Sequence, residues 1–169
     1  GGSITGNETN RGGGVYVTGK GSFTMSASAD GQNIPSITGN NATENGGGVY
    51  VVGSSSTFEM TDGSITGNNA AYGGGVCVSK NGSFEMSGSS CITNNKANAY
   101  GGGVHISYAS ATFTMKGGSI TGNNAYKSDY ISTFGGGVCV GSGIFTVSGE
   151  VTVTDNTKGG TKGADGKFT

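Results

Sequence analysis

Apolar and polar residues alternate in short bursts along the whole chain. In Ser3-Ile4-Thr5, Val15-Tyr16-Val17 and Phe23-Thr24-Met25 the side chains change character at every step, the period of a strand with one buried face. A strand of three or four residues has no stability alone, so the recurrence of these bursts decides the fold. Ile-Thr-Gly-Asn begins at Ile4, Ile37, Ile65 and Ile120, with Ile-Thr-Asn-Asn at Ile92 and Val-Thr-Asp-Asn at Val153. Each of the first five copies leads into three glycines and a valine, closing at Val15, Val49, Val76, Val104 and Val138. Phe-x-Met then follows at Phe23, Phe58, Phe84 and Phe113, with Phe145-Thr146-Val147 as the fifth copy.

Stacking each burst on its equivalent in the next repeat gives parallel ladders with rungs ~4.8 Å apart. The pattern predicts an all-β, right-handed parallel β-helix, a solenoid of five to six rungs with three short strands per rung. At ~4.8 Å per rung its length is about 25 Å. Residues 1–157 form this domain; 158–169 read as a Gly/Lys-rich tail or a distorted last turn. Between the bursts, Gly12 to Gly14 and their equivalents suit corners that need positive φ. Asn7, Asn40, Asn68, Asn95, Asn123 and Asn156 hold one turn position, where stacked amides can bond along the column. Ala42, Ala70, Ala97 and Ala125 suit a tight inward corner.

Composition narrows the function. Of 169 residues 37 are Gly and one is Pro, only 11% are charged, and the net charge is -1, which gives no electrostatic reason to bind nucleic acid or an anionic membrane. No apolar run approaches the ~18 residues of a membrane-spanning helix, so no membrane insertion is expected of this segment.

A hydrophobic residue, two residues, Asn and then a Gly-Gly-aliphatic run, as in Ile65-Thr66-Gly67-Asn68 with Gly73-Gly74-Gly75-Val76, resembles the FxxN and GGAI repeat of chlamydial polymorphic outer membrane proteins. The combination of ITGN, GGGVYV and TFTM is similar to repeat segments of large secreted surface proteins of Gram-positive gut bacteria. The resemblance covers essentially the whole chain and implies a bacterial surface-protein β-helix repeat, displayed outside the cell and engaged in adhesion. Its motif residues are scaffold, so it transfers no binding residue. Residues 1 and 2 already lie inside a repeat, and the chain reads as a segment of a longer protein.

Candidate sites are sought where the repeat is broken. Residues 27–35 and 126–134 lengthen two turns, and insertions in solenoids become surface loops. The position before each glycine triplet reads Arg11, Asn45, Tyr72, Tyr100, Phe134. Tyr72, Tyr100 and Phe134, with Tyr126 and Tyr130 of the second insertion, are the ligand contacts this pattern offers: an exposed aromatic strip for stacking on sugars or gripping a partner. The competing structural reading is that these rings cover a Gly-rich corner.

Three further patterns carry less. Tyr16, Tyr50, Cys77, His105 and Cys139 form the outward column of the Val-x-Val strand, and Cys-His-Cys is a soft donor set. A flat column does not wrap an ion and offers no fourth ligand, so neither a metal nor any other cofactor is expected. Two rungs also separate Cys77 from Cys139, too far for a disulfide, and Cys91 has no mate. Glu59 and Glu85 face outward on adjacent rungs, ~5 Å apart, the separation at which retaining glycosidases begin; with no basic column beside them they read as a solvated pair, and no catalytic residue is expected. Ser3/Thr5 and their equivalents put two columns of small hydroxyls on one face, as on some ice-binding solenoids, with Cys91 breaking one column. The expectation is a non-enzymatic, extracellular or cell-surface stalk or adhesin for a glycan or host protein. The alternatives are a self-assembling fibre pairing end to end, an ice-binding solenoid and a polysaccharide-active enzyme.

Overall fold

The computed structural model describes residues 2–126 and 134–159. It contains only strands, turns and bends among those residues, and every strand pairing is parallel. The chain winds as a β-solenoid of about five turns. Four sheets run along it, one more strand per turn than the sequence pattern indicates. The first sheet holds the isoleucine strands, from Ser3–Thr5 to Val151–Thr154. The third holds the valine strands, from Val15–Val17 to Val138–Val140, and the fourth the phenylalanine strands, from Ser22–Met25 to Ile144–Val147. The additional sheet, second in chain order, comprises Glu8–Arg11, Asn41–Asn45, Asn69–Tyr72, Lys96–Tyr100, Asn124–Ala125 and Thr157–Lys158. Its strands carry little apolar residue beyond alanine, so alternation does not reveal them. They exist because neighbouring rungs supply their backbone hydrogen bonds and because Ala42, Ala70, Ala97 and Ala125 are all buried.

Equivalent residues pair in register throughout the first, third and fourth sheets, so the core is a set of columns, while strands of the second sheet shift register before their last residue. Ile37, Ile65, Ile92 and Ile120 form one; Val49, Val76 and Val104 another, each at most 1% exposed. Phe58, Phe84 and Phe113 stack face to face, with ring centroids 4.7 and 4.6 Å apart, and Phe23 and Phe145 extend the stack at 5.2 and 4.8 Å. Rung spacing alone imposes that distance, which falls within the preferred range for offset aromatic pairs.

The turn asparagines form a continuous ladder. Each donates both its backbone N–H and its Nδ2 to the Oδ1 of the next: Asn7 to Asn40, Asn40 to Asn68, and onward through Asn95 and Asn123 to Asn156, at 2.9–3.0 Å. The preceding residue is left-handed at every level, with φ between 54° and 66° at Gly6, Gly39, Gly67, Asn94, Gly122 and Asp155. Asn and Asp tolerate that region better than other non-glycine residues, which explains the only two departures from glycine in the column.

In each glycine triplet only the first residue is left-handed, not all three; these are Gly12, Gly46, Gly73, Gly101 and Gly135, at 62° to 64°. The second lacks room for a side chain. A Cβ on Gly74 would overlap the carbonyl oxygen of Lys96 and lie 2.6 Å from that of Gly102. The triplet is therefore a corner tight enough to bring successive rungs into backbone contact.

Candidate functional site

That corner folds the end of each second-sheet strand over the outward side of the third sheet, and this builds an aromatic surface feature. Tyr72 and Tyr100 end their strands in register, and Phe134 continues the column through an isolated parallel bridge to Tyr100. Their rings follow one another at 5.6 Å each. Beneath them lies His105, whose ring centroid is 5.8 Å from that of Tyr72 and 5.7 Å from that of Tyr100. The rings open into a groove of about 550 Å³, walled on its other side by Cys139 and Val140. Phe134 is half exposed, and Lys158 Nζ stands 5.4 Å over its ring.

The structure thus brings three of the five expected aromatic contacts together. Tyr126 stands apart, half exposed, with its ring under Lys96 Nζ at 4.5 Å, and does not line the groove. Tyr130, with most of the second insertion, lies outside the described residues. The covering role is also real, because Tyr72 and Tyr100 roof His105.

The outward column of the third sheet is not a surface. Tyr16 is exposed at its lower end, but Tyr50 and His105 are 6% and 7% exposed, Cys77 is fully buried and Cys139 is half-buried. The strands Val49–Val52 and Val76–Ser79 are buried on both faces. Burial pushes the Cys77 thiol up to about 12 and holds His105 down to about 4. Cys77 Sγ lies 3.6 Å from Asn45 Oδ1 and 4.0 Å from His105 Nδ1. All three cysteines are free thiols, and burial raises those of Cys91 and Cys139 as well. Among the described residues no group of three His, Cys, Asp or Glu side chains is placed to hold a metal ion. His105, Cys139 and Val140 as groove residues escaped the sequence pattern; the glycine triplet is the one signal of the overlap that assembles them.

Glu59 and Glu85 are register neighbours on the fourth sheet, as their spacing predicts, but a cation does stand beside them. Lys116 Nζ donates to Glu85 Oε1 at 2.7 Å from the rung above. The hydroxyl columns of the first sheet are half-exposed, with Ser36 Oγ donating to Ser3 Oγ at 3.3 Å and Thr121 Oγ1 to Thr93 Oγ1 at 3.5 Å. Comparison of the chain with protein-family models, with curated proteins and with solved structures returned no match.

Proposed function

We propose that the chain is a non-enzymatic rod segment of a secreted or cell-surface bacterial protein, of the repeat type it resembles, and that it presents the Tyr72–Tyr100–Phe134 groove to a glycan or a host surface protein. One observation carries this reading: three aromatic rings follow one another along a groove at a position where the repeat tolerates Arg11 and Asn45 on the preceding rungs. The solenoid supplies stiffness through its in-register ladders, and the rings supply apolar area at low entropic cost. Tyr126 and Tyr130, near Phe134 in the sequence, are secondary contacts in this proposal. The ion pair of Glu85 with Lys116 supports a structural role for the carboxylates.

The test is a binding screen on immobilised mucins, pectins and host matrix proteins, followed by Tyr72→Asn and Tyr100→Asn, the residue this column already carries at Asn45. Loss of affinity of about tenfold or more in both variants is expected. Binding that survives both changes would remove the groove from consideration. Release of cleaved product, abolished by Glu59→Gln, would replace the reading with an enzymatic one.

A second reading, end-to-end assembly into a fibre, is favoured by the ladder's polarity. Among the described residues Asn7 Oδ1 accepts no hydrogen bond at one end, and the Asn156 backbone N–H donates none at the other.

A further inference from the structure

Beneath the groove floor two soft donors meet. Cys77 and His105 are side-by-side partners on neighbouring third-sheet strands, and their Sγ and Nδ1 atoms lie 4.0 Å apart. The contact is long for a hydrogen bond, and the thiol has a nearer acceptor in Asn45 Oδ1. His105 is more than nine-tenths buried, and among the described residues Cys77 Sγ is the one hydrogen-bonding partner of its ring.

We propose that Cys77 Sγ and His105 Nδ1 form a two-coordinate site for a soft monovalent metal ion, copper(I) in the first instance. With about 2.3 Å to a thiolate sulfur and about 2.0 Å to an imidazole nitrogen, the distances zinc takes, donors 4.0 Å apart subtend roughly 140° at an ion, and parting to about 4.3 Å would set them in the line that a two-coordinate ion favours. A tetrahedral ion would draw the same donors to about 3.5 Å and require two more ligands. The flat column that fails a four-ligand ion is sufficient for an ion that accepts two.

Charge selects in the same direction. On binding, the Cys77 S–H bond breaks, its proton passes to water and an S–Cu bond forms, with no change of oxidation state. Thiolate, neutral imidazole and a monovalent ion then sum to zero, which a buried site tolerates. A zinc ion between the same ligands would leave one uncompensated positive charge. Thiolate and imidazole are also the donors that soft ions prefer. Entry is through the groove, whose lining includes His105. The proposal is independent of what the groove binds.

The experiment is an anaerobic titration with copper(I) against a chromophoric copper(I) chelator, in a Cys91→Ala/Cys139→Ala background so that Cys77 is the only thiol. One equivalent is expected to be withdrawn from the chelator. Cys77→Ala should abolish that equivalent, and His105→Tyr should weaken it by about tenfold or more. Tyrosine is the residue of the same column at Tyr16 and Tyr50, so His105→Tyr keeps the fold testable if Cys77→Ala does not. X-ray absorption of the loaded chain should show one sulfur and one nitrogen on copper. No withdrawal from the chelator, or withdrawal unchanged in His105→Tyr, would overturn the assignment.

Discussion

His105 shows what burial does to one residue in a column otherwise occupied by Tyr and Cys. It stays neutral down to about pH 4 in the folded chain but takes a proton near 6.5 when unfolded. Between those values the unfolded state holds more protons. Stability is therefore complete above pH 6.5 and declines as the pH falls towards 4, by about 1.4 kcal/mol per unit for this group. Urea midpoints of the wild type should drop more between pH 7 and 4.5 than those of His105→Tyr; equal drops would place a charged or exposed imidazole in the folded state. Asn95 makes the parallel case for polar burial. Its Oδ1 accepts from both nitrogens of Asn68, and its Nδ2 donates to the Ile65 carbonyl and to Asn123 Oδ1. Asn95→Ala strands several buried partners at about 1–3 kcal/mol each, so a loss of roughly 3 kcal/mol or more is expected by chemical denaturation. Asn7→Ala, at an exposed end with only one neighbour in the ladder, should cost a fraction of that.

At the scale of strands and corners, two glycines of one rung separate the reasons for glycine. Gly67 is left-handed with nothing within 4 Å of a Cβ, so Gly67→Ala carries only the left-handed penalty of about 1–2 kcal/mol. Gly67→Asn should cost less, since Asn94 holds the equivalent place. Gly74→Ala instead forces a methyl into the carbonyl of Lys96. A loss beyond about 4 kcal/mol, in the range reserved for disrupted packing, is expected in melting experiments; similar Tm values for Gly67→Ala and Gly74→Ala would show that the corner can open. The same elements show what is legible without coordinates. The Ile, Val and Phe columns and the asparagine ladder follow from motif spacing, because an in-register solenoid repeats each environment at each rung. The second sheet does not, since Glu8–Arg11 has no apolar residue and its later copies rely on small alanines. The outward column of the third sheet fails for a different reason. Alternation reports which residues face the core but not what folds over the opposite face. Tyr72 and Tyr100 bury His105 through a corner whose tightness only backbone positions reveal.

For the described solenoid as a whole the unanswered surfaces are its first and last rungs. Val140, Val147 and Val153 of the last strands are 44–48% exposed, whereas their equivalents one turn below, Ile106, Met115 and Ile120, are fully buried beneath the next rung. At the opposite end Ile4, Val15 and Phe23 are only partly covered. The ends are unlike surfaces with matching register: Val153 occupies the column of Ile4, and the Asn156 N–H faces the direction in which Asn7 Oδ1 lacks a donor. A contact between them is heterologous and does not close, so it propagates. If this second reading holds, light scattering of the purified chain should show mass rising with concentration. A lysine on either edge should stop it, because an edge strand cannot bury an ammonium against another sheet. Ile4→Lys spoils one end and Val153→Lys the other, leaving each variant with one competent surface of opposite kind. Each alone should be monomeric, and the mixture should stop at a dimer of one copy of each. Mass that stays monomeric at every concentration in the wild type excludes the fibre. Filaments that persist in both variants would mean that copies associate along their sides, through the hydroxyl or aromatic faces, and not through the ladder.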